Sequence, residues 1–179
     1  GISSFGLSQR LNIGRAEAKK IIEDYFTNFP AISSYIQDTL AAARETGYVE
    51  TLFGRRRYLP ELSASNKMLR AFGERVAKNM PVQGTAADII KIAMVRVSNR
   101  LKNEGMQAKL ILQVHDELIV EAPVEEAEKA AEILGEAMRT AAQLSVPLKV
   151  DVNKGENWYV AKGITLTAGG EFKLRFGSD

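Results

Sequence analysis

The stretch that decides the fold of this 179-residue chain lies at positions 106–122 and reads MQAKLILQVHDELIVEA. Two apolar runs rich in β-forming residues flank a polar triplet, His115-Asp116-Glu117. This pattern predicts a β-hairpin with polar side chains at its tip. Helical patterns lie on both sides of it, so the sequence predicts an α+β fold in which helices pack on a small antiparallel sheet.

Over much of the remaining chain, apolar residues recur at spacings of three and four, which is the period of an α-helix. Phe29-Pro30 separates the first two helices because a residue before proline is pushed out of the helical conformation. Gly47 is placed to end the second helix, and a short hairpin is predicted over 48–59. A strand is predicted at 148–152. The predicted helices lie at 14–28, 30–46, 66–78, 85–101 and 123–144.

The segment 79–88 reads NMPVQGTAAD and connects two of these helices. Its proline predicts a break, and Thr85 is placed to cap the following helix with Asp88 in the first turn. Capping accounts for Thr85 and Asp88 without any further function. It does not account for Asn79 or Gln83, whose amide groups can read the edges of nucleic-acid bases.

Basic residues are dense between positions 51 and 80, where seven basic residues stand against two acidic ones. Three adjacent arginines, Arg55-Arg56-Arg57, lie on the predicted short hairpin. Arg75 and Lys78 follow on one face of a predicted helix. Such a cluster can neutralise phosphates, and it can equally be an ordinary solvated charged face. The sequence leaves both interpretations open.

Two adjacent carboxylates at the tip of the longer hairpin, Asp116 and Glu117, offer the oxygen ligands that Mg²⁺ prefers. A two-metal site for phosphoryl transfer needs carboxylates that hold ions beside the attacking and leaving oxygens. Neighbouring side chains in a strand point to opposite faces, which makes Asp116 alone the better metal ligand. A solvated polar turn without function fits the same residues.

Composition narrows the class of protein. The chain has no cysteine and one histidine, which excludes a disulfide framework, a cysteine-ligated zinc site and a multi-histidine metal site. No apolar run approaches the roughly 20 residues that span a bilayer, and positions 1–5 lack the features of a signal peptide. We therefore expect no membrane partner and a cytoplasmic setting. The chain starts at Gly1 without an initiator methionine, and we interpret this as a cut end.

Three segments together resemble family A DNA polymerases of the bacterial DNA polymerase I type. They are 48–58 (YVETLFGRRRY), 79–88 (NMPVQGTAAD) and 113–118 (QVHDEL), in this order and spacing. The resemblance covers positions 1 to about 162. It implies a partial right-hand polymerase fold from a bacterial or phage-like source.

The same resemblance implies a division of the chain into parts of the polymerase hand. Residues 1–65 correspond to part of the fingers subdomain, and residues 66–162 correspond to a portion of the palm with its small antiparallel sheet. The tail, 163–179, does not resemble the family, and its sequence could form a small hairpin or be an extension out of context.

The resemblance further implies an enzyme, a DNA-directed DNA polymerase that transfers nucleotides from dNTPs to a primer 3′ end. Asp116 matches the second of the family's two metal-binding aspartates, Glu117 matches the adjacent glutamate, and His115 matches a residue near the primer terminus. The residues assigned to DNA binding on the same basis are Arg75, Asn79, Gln83, Arg55, Arg56, Arg57 and Lys78.

In the family, the first metal-binding aspartate and the groups that hold the triphosphate lie upstream of the position matched by Gly1. We therefore expect Mg²⁺ as cofactor at a two-metal site that is incomplete in this chain. The expected partners are primer-template DNA, dNTP and the missing upstream polymerase segments. The isolated chain should be inactive, bind DNA weakly and with strong salt dependence, and expose an edge of its palm sheet where a strand is missing.

Other classes of function stay open at this point. A non-catalytic DNA-binding module would keep the fold without the chemistry. One half of a split polymerase would regain activity when mixed with its other half. A stand-alone metal nuclease would need more carboxylates near Asp116 than Glu117 alone.

Overall fold

A computed structural model of the chain describes residues 2–161 and the backbone of strand 171–175. The chain divides into two compact units, Gly1–Thr85 and Ala86–Asp179. The fingers and palm boundary expected at 65/66 from the family resemblance stays a prediction. Most of the tail, including the first half of its possible hairpin, lies outside the described residues.

The first unit consists mainly of helices, and local signals set their ends. The hydroxyl of Ser3 accepts the Gly6 amide at 3.1 Å and caps the first helix. Pro30 stands in the first turn of the third helix, and Gly47 ends that helix with a left-handed φ of 77°. The elements, followed by a single 3₁₀ turn at Pro60–Ser63, are α1 (Ser4–Leu11), α2 (Arg15–Asn28), α3 (Pro30–Thr46), β1 (Tyr48–Glu50) and β2 (Arg56–Tyr58).

A small core holds the predicted short hairpin of the first unit in place. Strands β1 and β2 pair antiparallel, as the sequence predicted. Side chains from α3, the hairpin and the fourth helix pack together, and Leu59 and Ala77 are fully buried among them. This core is lined by Ala43, Val49, Leu59, Leu62 and Ala77.

Helix α4 (Lys67–Asn103) is one continuous element of 37 residues, with Pro81 inside it. The predicted break at Met80-Pro81 is therefore wrong. A proline in a helix interior removes one backbone hydrogen bond and crowds the preceding turn, and local propensity alone favours a break. Tertiary contacts around Thr85, described below, hold this segment helical. The side chain of Asn66 caps the start of α4 by accepting the Met68 amide at 2.8 Å.

The second unit contains the predicted longer hairpin, β3 (Lys109–Val114) and β4 (Glu117–Glu121). Its sheet has the order β3-β4-β6-β5, and all neighbouring strands are antiparallel. The other elements, after a 3₁₀ turn at Val124–Glu126, are α5 (Ala127–Arg139), β5 (Asp151–Gly155), α6 (Trp158–Ala161) and β6 (Glu171–Arg175).

Two boundaries in this unit differ from the sequence-based expectation. The helix predicted over 123–144 begins at Ala127 and ends at Arg139, where Thr140 turns its hydroxyl back to the Glu136 carbonyl at 2.8 Å. The strand predicted at 148–152 lies instead at 151–155. At the end of the helix, a polar side chain satisfies a backbone carbonyl locally. At the strand, pairing begins later than the apolar pattern suggests.

The core of the second unit lies between α4, α5 and one face of β4. Leu118 and Val120 of β4 are fully buried, and they belong to the same core as Leu134 and Met138 of α5. This arrangement confirms the predicted α+β class, with helices packed on a small antiparallel sheet. None of the helices in the described part of the chain is long and apolar enough to cross a bilayer.

One strand of the hairpin beside Asp116 was expected to have an unpaired edge, but β4 is paired on both of its edges. Strand β4 pairs with β3 on one edge and with β6, from the tail, on the other. The expectation of an unpaired edge is therefore wrong for β4, whereas β3 lies at the edge of the sheet.

An ion-pair cluster links helices α4 and α5 in the second unit. The carboxylate of Glu104 contacts Lys129 and lies 3.6 Å from Nη2 of Arg100. The hydrogen bond from Lys129 lowers the pKa of Glu104, and a hydrogen bond to Glu136 raises the pKa of Arg100. A carboxyl with a lowered folded-state pKa stabilises the fold above its unfolded-state pKa. That contribution disappears as the pH falls through the lowered value.

We therefore predict that Glu104→Gln lowers the free energy of unfolding at about pH 7, and that the loss is smaller at a second pH below the ordinary glutamate pKa of about 4.3. Urea denaturation of both proteins at the two pH values measures this, and the loss at neutral pH shrinks with added salt. Glu132→Gln, an exposed position on α5, is the matched control and should change stability at neither pH. An equal loss at both pH values would contradict the assigned cause.

Candidate nucleic-acid interface

Three predicted DNA-binding side chains form a polar stripe along α4. Arg75, Asn79 and Gln83 follow each other at four-residue spacing, which places them along one side of a continuous helix. Arg75 and Gln83 are exposed, and Asn79 is half-buried. Within the described part of the first unit, none of the three side chains has a hydrogen bond or an ion pair. The stripe therefore has its polar groups available to a ligand.

The charge of Arg75 is not cancelled by the acidic residue beside it. Glu74 receives a hydrogen bond from Nη2 of Arg44 at 2.7 Å, which joins α4 to α3. The aromatic ring of Phe72 lies 5.9 Å from the Arg75 guanidinium. The neighbouring carboxylate is engaged elsewhere, so Arg75 keeps its full cationic character at the surface.

A cavity in the first unit brings Arg75 and Lys78 together. It has a volume of about 790 Å³ and lies between α2, α3 and α4. Its walls are largely apolar, with Ile22, Phe26 and Ile36 among the lining residues, and both cations also line it. The shared helix face predicted for Arg75 and Lys78 is confirmed.

The three hairpin arginines have different environments. Nε of Arg56 donates to Glu50 at 3.1 Å, and its guanidinium lies 4.5 Å from the centre of the Tyr48 ring. The hydrogen bond to Glu50 raises the pKa of Arg56. Arg57 follows on the opposite face of the ribbon and is exposed, and Arg55 lies exposed in the turn. The charge of Arg56 is offset by its carboxylate partner, which leaves Arg57 as the better phosphate contact of the two on β2.

The turn of this short hairpin is fixed directly to α4. The Thr85 hydroxyl accepts the Leu52 amide at 2.9 Å and donates to the Pro81 carbonyl at 2.5 Å. The predicted role of Thr85 as a helix cap is therefore wrong, because it lies inside α4, as does the buried Asp88. The hydroxyl joins the proline-containing turn of α4 to the hairpin.

Gly84 lets the hairpin approach this closely. A Cβ atom added to Gly84 would lie 2.6 Å from Cγ2 of Thr51, which is buried at the start of the turn. The Thr51 hydroxyl in turn accepts the amides of Phe53 and Arg55, both at 3.2 Å. Neither Thr51 nor Gly84 was among the residues predicted to form the site. A glycine within a helical segment was the signal available in the sequence.

The carboxylate tip of the second unit is formed by His115 and Asp116, which make the turn between β3 and β4. His115 has a left-handed φ of 53°, and both side chains are exposed. Glu117 begins β4 and is only 7% exposed, so it is buried where Asp116 is not. The exposure of Asp116 and the burial of Glu117 agree with the expectation that the two adjacent side chains point in different directions.

At the hairpin tip, Asp116 is the one exposed carboxylate that could bind a divalent cation, since Glu117 is buried. Among residues 2–161 no cluster of three His, Cys, Asp or Glu side chains is arranged to hold a metal ion. Asp116 suits one position in the shell of a hard cation such as Mg²⁺ and does not complete a site.

Comparison with known proteins gives consistent matches over nearly the whole chain. Residues 1–160 match the family described as DNA polymerase family A. DNA polymerase I of Bacillus caldotenax is 52% identical over 162 residues, which are 90% of this chain and 18% of that protein. The thermostable DNA polymerase I of Thermus thermophilus is 53% identical over 163 residues, 91% of this chain and 19% of that protein.

A solved structure shows the same fold. The POL domain of Pol1 from M. smegmatis, in complex with DNA primer-template and dNTP, matches with a TM-score of 0.80 and 45% identity. The match covers 83% of this chain and 26% of that one. The likeness confirms the predicted partial polymerase fold. The chain thus spans less than a fifth of the length of the two curated relatives.

We predict that Gly84→Ala destabilises the protein by about 1–3 kcal/mol, because the new Cβ meets the methyl group of Thr51. In a helix interior the same change normally stabilises by about 0.5–1 kcal/mol. Thr51→Ser removes that methyl group and keeps the hydroxyl, so the double variant should recover much of the loss. A cycle of urea denaturation curves on the four proteins measures the coupling. Additive effects would show that the two residues do not meet.

Proposed function

The chain belongs to DNA polymerase family A, and on that premise we propose that it is the fingers and palm portion of a DNA-directed DNA polymerase. The whole enzyme transfers nucleotides from dNTPs to a primer 3′ end under the direction of a template. One observation carries the proposal beyond family membership. Helix α4 runs through Pro81 and so aligns a cation and two amides, Arg75, Asn79 and Gln83, on one accessible stripe.

The chemistry of the polar stripe suits a duplex of primer and template. An arginine can neutralise a phosphate or pair with guanine, and amide groups can donate to and accept from base edges. In this proposal Asn79 and Gln83 contact the DNA near the nascent base pair, and Arg75 contacts it beside them. Arg57 adds a phosphate contact from the hairpin, with Arg55 and Arg56 next to it in sequence. Lys78 adds another from the face of α4 that it shares with Arg75.

Asp116 has the role of a metal ligand in this proposal. Its carboxylate is exposed at the hairpin tip, and Mg²⁺ takes such oxygen ligands while keeping part of its water shell. A bound ion of this kind neutralises charge on the phosphoryl group being transferred. His115 lies beside Asp116 at the tip and faces the primer terminus in the proposed assignment, and Glu117 supports the tip from its buried position.

One metal ligand does not make a nucleotidyl-transfer site. We expect residues 1–179 alone to extend no primer and to hold dNTP weakly, because they match less than a fifth of the length of the relatives and offer one exposed carboxylate at the hairpin tip. The relatives are bacterial proteins, and we propose the cytoplasm, where chromosomal DNA and dNTP are present, as the place of action.

The polymerase assignment is tested by building residues 1–162 into DNA polymerase I of Bacillus caldotenax in place of its matching segment. We predict that the chimera extends a primer on a DNA template with Mg²⁺ and four dNTPs. Asp116→Ala in the chimera should slow extension about a thousandfold, equal to about 4 kcal/mol of transition-state stabilisation.

Asp38→Ala is the matched control for this experiment. Asp38 is an exposed carboxylate on α3, so its loss should leave the extension rate unchanged. A folded chimera that binds DNA but extends no primer would contradict the proposal and favour a non-catalytic DNA-binding module. An Asp116→Ala chimera with full activity would contradict the metal role alone.

DNA binding by the chain itself gives a second prediction. Affinity for a primer-template duplex should fall steeply with salt, because much of it comes from phosphate neutralisation. Arg75→Gln should weaken binding about tenfold and reduce the slope of log K against log salt by about one unit. Fluorescence anisotropy over a salt series measures both quantities.

Arg10→Gln serves as the control, since Arg10 is an exposed arginine of α1 outside the proposed interface. It has the same change of charge and should leave both the affinity and the slope nearly unchanged. Equal effects of the two substitutions would show that binding follows net charge and not the polar stripe.

A further inference from the structure

We propose that residues 171–175 act as an intramolecular donor strand that closes an acceptor slot in the sheet of the second unit. We call this position the β4–β5 slot, meaning the gap, one strand wide, between β4 (Glu117–Glu121) and β5 (Asp151–Gly155). Strand β6 fills it and pairs with both walls. The slot takes an extended peptide through backbone hydrogen bonds.

The two walls of the slot are β4 and β5. Helix α5 contacts β5 directly, without involving β6. A Cβ added to Gly135 of α5 would lie 3.0 Å from Cγ2 of Val152, so β5 lies directly against the helix. Lys154 of β5 also forms an ion pair with Glu128 next to the start of α5. One wall of the slot is thus fixed to α5 by packing and by charge.

The other wall, β4, is fixed to the same helix. Leu118 and Val120 are fully buried in the core that includes Leu134 and Met138 of α5. Because α5 shares a core with β4 and lies against β5, both walls of the slot are anchored to one helix. The slot is therefore built into the residues on either side of it.

The sequence and burial of β4 are those of a strand with a neighbour on both edges. Four successive residues, 117–120, are buried, which is typical of a central strand covered on both faces and not of an edge strand. Strand β3 pairs with only one of its edges. Without an occupant of the slot, the other edge would present unpaired backbone groups beside an apolar strand, which favours aggregation.

The pairing fixes the direction and register of the occupant. Lys173 lies opposite Ile119 of β4 and also opposite Asn153 of β5. The occupant runs antiparallel to both walls, so the walls are parallel to each other. A segment that enters the slot must therefore be extended along its length and run in this one direction.

The walls and the occupant differ in their relation to the family. Both walls lie within residues 1–160, which match DNA polymerase family A, whereas β6 lies beyond that match. The donor strand is thus a feature of this chain's own tail. Any other extended segment that enters the slot has to displace it, so the tail competes with such segments for the sheet next to Asp116.

Hydrogen exchange on the full chain tests the proposal without any assay of polymerase activity. Lys173→Pro removes a backbone donor in the middle of β6. We expect backbone amides in 117–121 and 151–155 to exchange about tenfold faster in this variant. Ser178→Pro, a substitution of the same kind three positions after Arg175, is the control and should leave the exchange of both segments unchanged. Unchanged exchange in the Lys173→Pro chain would overturn the proposal.

A peptide added in trans completes the test. The labelled peptide GGEFKLRFG, which is the sequence 169–177, should bind the Lys173→Pro chain saturably and restore protection to both segments. The same peptide with proline in place of its lysine should not. If the variant does not fold alone, recovery of its circular dichroism with the first peptide supports the slot. Equal behaviour of the two peptides overturns it.

Discussion

The hydroxyl of Thr85 is the contact on which the arrangement of the first unit depends. It accepts a backbone amide from the hairpin turn and donates to the carbonyl of Pro81, so one side chain joins two elements at the point where α4 is intrinsically weakest. Gly84 makes the approach sterically possible. Because α4 continues through this point, Arg75, Asn79 and Gln83 share a stripe. A helix broken at Pro81 would turn Gln83 away from the other two.

The second unit depends on a different constraint, the packing of α5 over the sheet. That helix supplies the core beneath β4 and holds β5 in place. The hairpin of β3 and β4 can then present a tight turn in which Asp116 is exposed while Glu117 is buried. The chemistry proposed for the tip depends on this contrast. An exposed carboxylate can bind a cation that keeps most of its water shell, whereas a cation at a buried carboxylate would have to lose that shell.

Local patterns predicted much of the fold. Apolar periodicity placed α2 and α3, and β-forming runs on either side of a turn placed both hairpins, because in these elements propensity, spacing and end signals agree. The prediction was wrong at Pro81, where a contact from a segment about 30 positions earlier in the chain outweighs local preference. The pairing of β4 with β6 was equally out of reach, since strand pairing between distant segments leaves no periodic signal. The exposed side chains of the candidate site were found by residue type, and their supports at Thr51 and Gly84 were not.

The continuity of α4 through Pro81 is the central claim, and nuclear magnetic resonance of the labelled chain tests it most directly. A continuous helix predicts Hα–Hβ Overhauser contacts from Asn79 to Val82 and from Met80 to Gln83, together with helical Cα shifts across 76–86. The absence of these contacts, with extended-type shifts at Met80 before the proline, would contradict the account. It would also separate Gln83 from the stripe proposed to contact DNA.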